Sequence, residues 1–224
     1  MSDNKIKILV VDDHPILREG IKTVLELSND FIIVGEADSG FKACELVPTI
    51  KPDVVLMDIR MDKMDGIKAS RTIKKLYPYT RILLLTMYDD ENYIMEALEI
   101  GVEGYILKMS EVEKVIAAIK LINEGETYFD PKITRSITER SKGFKNQKQP
   151  EDLLRKYDLT SREMEIINYT INGLSTKQIA EKLFISPNTV YNHRRNIFHK
   201  LKINRSSELI SFAINNNLFL ISGK

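Results

Sequence analysis

Five short runs rich in Ile, Val and Leu limit the fold of this chain more than any other feature: Ile6–Val11, Phe31–Glu36, Val54–Met57, Ile82–Leu85 and Tyr105–Leu107. Each is nearly continuous in apolar residues rather than alternating, as in strands buried on both faces. Helical patterns fall between them. Ile16, Leu17, Ile21, Val24 and Leu25 share one face, as do Ile67, Ile73 and Leu76, then Ile94, Ala97 and Leu98, then Val112, Val115, Ile116 and Ile119. Residues 39–50 are helical in pattern too, with Pro48 expected to bend or end that helix. Strand–helix alternation repeated five times predicts an α/β fold, a doubly wound five-stranded parallel sheet with helices on both faces.

The pattern changes after Asn123. "EGETYFDPK" reads as a turn and residues 131–140 as one more helix. The stretch "SKGFKNQKQPED", residues 141–152, is polar and aperiodic and reads as a linker. Four helical patterns follow, with no strand signal. The chain therefore divides into a first domain over residues 5–123, a helix and linker over 124–152, and a helical domain over 153–220.

Charge divides in the same way. Residues 1–140 hold 19 Lys and Arg against 25 Asp and Glu, and residues 153–224 hold 11 against 5. A net charge of −6 in front and +6 behind predicts different partners for the two domains, with phosphates a candidate for the second. The one cysteine, Cys44, excludes an intrachain disulfide framework and a CxxC zinc site. No apolar run approaches a membrane span, and the N-terminus lacks the apolar core of a signal peptide, so a cytoplasmic location is expected.

Loops at the carboxyl ends of strands build the site of an open α/β sheet. That rule gathers Asp12 and Asp13 after the first strand, Asp58 at the end of the third, Thr86 at the end of the fourth and Lys108 at the end of the fifth. Three carboxylates together are costly unless a cation neutralises them. An all-oxygen set suits Mg²⁺, and without Cys or clustered His zinc is not expected. A carboxylate beside such a cation can be the nucleophile that accepts a phosphoryl group, with Lys108 and Thr86 stabilising its oxygens. The plainer alternative for Asp12 and Asp13 is capping of the helix that begins near Pro15. Asp65-Gly66 reads as a turn followed by a helix start.

Residues 5–123 resemble the receiver domain of two-component response regulators, the CheY-like, flavodoxin-like fold, with "VVDDHP", "LMDIRMDKMDG", "LLLT" and "GYILK" standing in the family's order. The resemblance implies that Asp58 is the phosphoacceptor, and that Asp12 or Asp13 holds Mg²⁺ with the backbone carbonyl of Arg60. It also implies Thr86 as the switch hydroxyl, Lys108 as the phosphate-pairing lysine and Tyr105 as the switch aromatic. Three positions depart from many receivers. Asp62 stands in place of Pro, Met109 in place of a cis-Pro, and Met87 in place of Ala or Ser.

In the basic half, Thr160 or Ser161 is a candidate N-cap. A C-terminal glycine, Gly173, closes that helix, and a second helix starts at Ser175. "FISPNTV" is a turn with Ser186 as N-cap and Pro187 at the first helical position of a helix running to about Leu201. Two short helices joined by a tight turn, the second basic, propose a helix-turn-helix. Val190, Ile197 and Leu201 should face the core, and Asn188, Tyr191, Asn192 and Arg195 the other side, where Asn pairs with adenine edges and Arg with guanine. Thr189, Arg194, Asn196 and Lys200 suit phosphate contact, and His193 reads as a partly buried structural residue.

"LTSREMEII", "GLSTKQIAEKLFIS" and "NTVYNHRRNIFHKL" resemble the DNA-binding domain of the LuxR/FixJ (NarL-type) regulators over about residues 155–217. By that resemblance Tyr191, Asn192 and Arg195 match base-facing positions, and residues 206–216 supply a dimer contact on DNA. Many relatives carry Lys in place of Tyr191. Together the two resemblances imply a response regulator and not an enzyme. A sensor histidine kinase or small phosphodonor would phosphorylate it with Mg²⁺ bound, and it would bind double-stranded DNA half-sites as a homodimer. A Mg²⁺-dependent phosphohydrolase of the haloacid dehalogenase type would want a second Asp two residues after Asp58, where Arg60 stands. A regulator independent of phosphorylation, with its front domain only a dimerisation module, is the remaining alternative.

Overall fold

The computed structural model describes residues 5–87, 91–135, 150–216 and 218. The expectations for residues 136–149 and for residues 219–220 lie outside these. Contacts divide the chain into two units, residues 1–128 and 129–224.

The first unit runs β1 (Ile6–Val11), α1 (Pro15–Glu26), β2 (Phe31–Ala37), α2 (Gly40–Ile50), β3 (Val54–Asp58), α3 (Gly66–Leu76), β4 (Arg81–Thr86), α4 (Glu91–Ile100), β5 (Gly104–Leu107) and α5 (Val112–Asn123). The sheet order is β2-β1-β3-β4-β5-β6, with β6 the short strand Tyr128–Phe129, and the four pairings among β1 to β5 are parallel. The connection changes direction beside β1, so the carboxyl ends of β1 and β3 open the crevice where α/β folds place their sites. Ile8, Val10, Val54, Leu56, Leu83, Leu85 and Ile106 point to one face, against Leu25 of α1 and Ala118, Ile119 and Ile122 of α5. Successive side chains alternate, which turns Leu9, Val11, Val55 and Met57 to the opposite face; they too are fully buried.

Four expectations change. The turn at "EGETYFDPK" contains a sixth strand, β6 (Tyr128–Phe129), whose Tyr128 N–H donates to the Glu103 carbonyl at 2.9 Å. Two residues are too few to show a period. Pro48 lies inside α2 rather than ending it at once, and the helix stops two residues later at Ile50 with Lys51 in the left-handed region; the proline has no N–H to donate to the Cys44 carbonyl, so the last turn forgoes one helix bond. The apolar face of α1 is not wholly buried. Ile16 is 90% exposed, and with Leu17 and Val24 it borders a groove of about 320 Å³ between α1 and α5. Leu76, placed on the inner face of α3 by its period, is 60% exposed.

The second unit holds α6 (Pro150–Tyr157), α7 (Ser161–Ile171), α8 (Thr176–Leu183), α9 (Pro187–Leu201) and α10 (Ser206–Asn215). α6 begins inside the stretch read as linker, because Leu153 sits buried and Tyr157 packs edge-on against Phe212 at 5.1 Å. Thr160 caps α7 and Ser175 caps α8, each in a reciprocal capping box, with Glu163 and Gln178. Ser186 caps α9 with Pro187 following. Residues 131–135, which begin the expected helix, are helical.

Candidate functional site: an acidic crevice and a basic helix

The crevice is assembled from strand ends. Asp12 is fully buried, and Asp58 is 3% exposed. Lys108, carried past the end of β5, reaches both: its Nζ lies 2.7 Å from Asp12 Oδ2 and 2.7 Å from Asp58 Oδ2. The Lys108 N–H donates to the Thr86 carbonyl at 2.7 Å, so the ends of β4 and β5 are tied beside the cluster. Thr86 is 4% exposed, and Tyr105 is fully buried in β5. Burial pushes the Asp58 carboxyl up from its ordinary value, opposed by Lys108 and reinforced by the charge of Asp12.

The loops are shaped around these carboxylates. Asp12 Oδ1 accepts the His14 N–H at 2.8 Å, and Asp13 Oδ2 accepts the Asp62 N–H at 3.1 Å. The cap of α1 is His14, without a side-chain bond, so neither aspartate caps that helix. The Arg18 guanidinium donates to the Asp12 carbonyl and pairs with Glu36, which ties α1 to the end of β1 and to β2. Arg60 N–H points at Asp58 Oδ1 from 3.4 Å, and the Arg60 guanidinium lies 5.8 Å from the ring centre of Tyr93.

Asp12, Asp13, His14 and Asp58 each offer a ligand atom, all within 4.8 Å of one another. Asp13 Oδ1 is buried without a hydrogen bond; His14 Nδ1 stands 2.7 Å away but not in bonding geometry. An orphaned carboxylate oxygen among three acids fits a divalent cation with oxygen preference. The sequence had placed Asp12, Asp13, Asp58, Thr86 and Lys108 together, and the structure brings them together. It had not singled out His14, Arg18 or the tight approach of Gly66 described below. Arg18 has a signal, a cation in the first turn of a helix that follows two acids.

In the second unit, Asn188, Asn192, Arg195 and Asn196 are exposed, Tyr191 is 66% exposed and Thr189 is half-buried. His193 is half-buried as expected. Two residues expected at phosphates turn inward. Arg194 is 8% exposed and donates to Thr176 Oγ1 at 3.0 Å and to Ser206 Oγ at 3.2 Å. Lys200 Nζ bonds Glu163 at 2.8 Å and the Asp158 carbonyl at 2.7 Å. Arg194 stands within the buried stripe of Val190, Ile197 and Leu201, a spacing that marks it as inward. The final helix buries Leu209, Ile210, Ala213 and Ile214.

The comparisons with known proteins agree with both halves. Residues 8–120 match the response regulator receiver domain, and residues 158–213 match the bacterial regulatory proteins of the luxR family. The chain is 35% identical to the transcriptional regulatory protein DegU of Brevibacillus brevis, over 96% of each chain. It is 37% identical to the oxygen regulatory protein NreC of Staphylococcus epidermidis, over 95% of this chain and 99% of that one. Among solved structures, the response regulator ChrA of a heme-sensing two-component system aligns with a TM-score of 0.53 at 32% identity, covering 96% and 98%. A LuxR-family response regulator from Aurantimonas sp. SI85-9A1 aligns with a TM-score of 0.58 at 34% identity, covering 61% and 98%. With a receiver domain in front and a luxR-family domain behind, the chain belongs to the DNA-binding response regulators of two-component systems.

Proposed function

We propose that Asp58 accepts a phosphoryl group and that this charge switches DNA binding by the second unit. The observation that carries the reading is the Lys108 ammonium, shared at 2.7 Å between Asp12 and Asp58. An Asp58 carboxylate oxygen attacks phosphorus in a sensor histidine kinase's phosphohistidine, or in a small acyl phosphate. The bond from phosphorus to the donor breaks, and its electron pair leaves with the donor. Mg²⁺, held by Asp12, Asp13, Asp58 and the Arg60 carbonyl, would supply positive charge to the phosphoryl oxygens. Lys108 neutralises a second oxygen, and the Thr86 hydroxyl donates to a third. Slow loss of the phosphoryl group to water is the one turnover this site would support.

The transferred group brings a charge near −2 in place of −1. Thr86 and Lys108 move toward it, Tyr105 repositions, and the surface of α4, β5 and α5 shifts between two packings. That shift favours a homodimer, which binds two half-sites of double-stranded DNA. Asn188, Tyr191, Asn192 and Arg195 read bases, and Thr189 contacts the backbone. Arg194 and Lys200 hold α9 in place instead. Among the described residues no helix is long and apolar enough to cross a membrane; a cytoplasmic location is the one that work on DNA would require.

The test is to treat wild type and Asp58→Ala with acetyl phosphate, with and without Mg²⁺. Phosphoprotein is resolved on a phosphate-affinity gel, and DNA binding is scored on the same samples. A Mg²⁺-dependent shift lost in Asp58→Ala, with tighter DNA binding, is expected. Equal DNA binding by phosphorylated and unphosphorylated chains would refute the switch.

A further inference from the structure

Phe184 sits in the turn between α8 and α9, 95% exposed, at φ 54° and ψ 43°. A bulky residue in the left-handed region is an outlier, and this helix-ending position favours glycine or asparagine. The turn itself is well made without the ring. Phe184 N–H donates to the Glu181 carbonyl at 3.3 Å and Ile185 N–H to the Ala180 carbonyl at 3.0 Å. The other non-glycine residues with positive φ among the described residues are Lys51, Lys63, Asp158 and Lys202. Those polar side chains gain from solvent, and the lysines that end helices gain from the helix dipole. Phe184 gains neither burial nor solvation. Strain and exposure at one aromatic point to a partner rather than to the fold.

Position supplies the partner. Phe184 precedes the α9 cap, Ser186, by two residues, and the exposed run Ser186, Pro187 and Asn188 is followed one helical turn on, past half-buried Thr189 and buried Val190, by exposed Tyr191. A recognition helix presents its N-terminal residues to base edges. An apolar side chain beside that end meets deoxyribose carbons or a thymine methyl at the groove edge. We infer that Phe184 is a DNA-contacting residue that packs on the apolar atoms of the duplex at the start of the recognition helix. The inference rests on DNA binding by the second unit.

The test uses the full chain and a duplex that wild type enriches from a random pool. Phe184→Gly and Phe184→Asn remove the ring at a backbone angle both residues accept, so melting temperature should hold or rise by roughly 2–6 °C. The dissociation constant should weaken about tenfold. The slope of log affinity against log salt should not change, because no phosphate charge is lost. Repeating the titration with deoxyuridine for thymidine separates the sources. A methyl contact weakens wild type alone, while a sugar contact leaves wild type equal on both duplexes. Stable variants with wild-type affinity would overturn the inference, and their loss of transcription alone would assign the ring to a protein partner instead. If wild type enriches no duplex, the DNA reading fails and takes this inference with it.

Discussion

A Cβ on Gly66 would stand 2.0 Å from the carbonyl oxygen of Asp58. The start of α3 is thus pressed against the backbone of the proposed phosphoacceptor, with Gly66 N–H donating to the Ile59 carbonyl at 2.9 Å. No flexible side chain is available to yield. Gly66→Ala should therefore move the β3–α3 loop, destabilise the first unit by about 2 kcal/mol, and lower the rate of phosphorylation by acetyl phosphate more than tenfold. Thermal melting and a phosphorylation time course measure the two effects. A variant that melts and phosphorylates like wild type would contradict the geometry.

The acidic crevice should register its cation without any chemistry. Mg²⁺ at millimolar concentration should raise the melting temperature of wild type, since it binds only the folded cluster. Asp13→Asn should lose most of that rise while melting normally in chelator. Removal of the metal from wild type should restore the lower melting point.

Glu163 gives the second unit a pH limit. It is 3% exposed. Burial pushes its carboxyl up, but the bonds from Lys200 and from the Thr160 amide and hydroxyl outweigh this and leave it below its ordinary value. A depressed folded value means that the stabilisation is present in full above the unfolded value and is lost as pH falls through the folded one. Melting temperature should therefore drop as pH falls below about 4.5, the ordinary glutamate value. Glu163→Gln should flatten that dependence and cost about 2 kcal/mol at pH 7.

Lys200 and Arg195 separate under salt titration. Arg195→Ala should weaken DNA binding and relax the choice of base it contacts, by about 1–3 kcal/mol. Lys200→Met should lower the melting temperature, since it leaves Glu163 without its cation, but leave the salt slope of DNA binding unchanged. A slope reduced by about one would return Lys200 to the phosphate backbone.

The five sheet strands and the five crevice residues were legible because each depends on a local pattern plus one general rule about strand ends. What escaped depends on distance through space. Lys200 is 37 positions from Glu163, and no periodicity connects them. Arg194 was legible in principle, since it falls in the buried stripe of Val190, Ile197 and Leu201, but its charge was weighed above its spacing. β6 and α6 were hidden for opposite reasons: one is two residues long, and the other starts at a proline within a polar stretch. Ile16 has the right period for a core position and is nonetheless exposed, because periodicity names a face and not what covers it.

The reciprocal caps at Thr160–Glu163 and Ser175–Gln178 have a consequence for how such chains diversify. Each of these helices carries its own start instruction within four consecutive residues. Such instructions travel intact with the segment that encodes them. A DNA-binding half written in this way can be joined to a different receiver half without relearning where its helices begin, and its exposed side chains can drift while the scaffold stays in register.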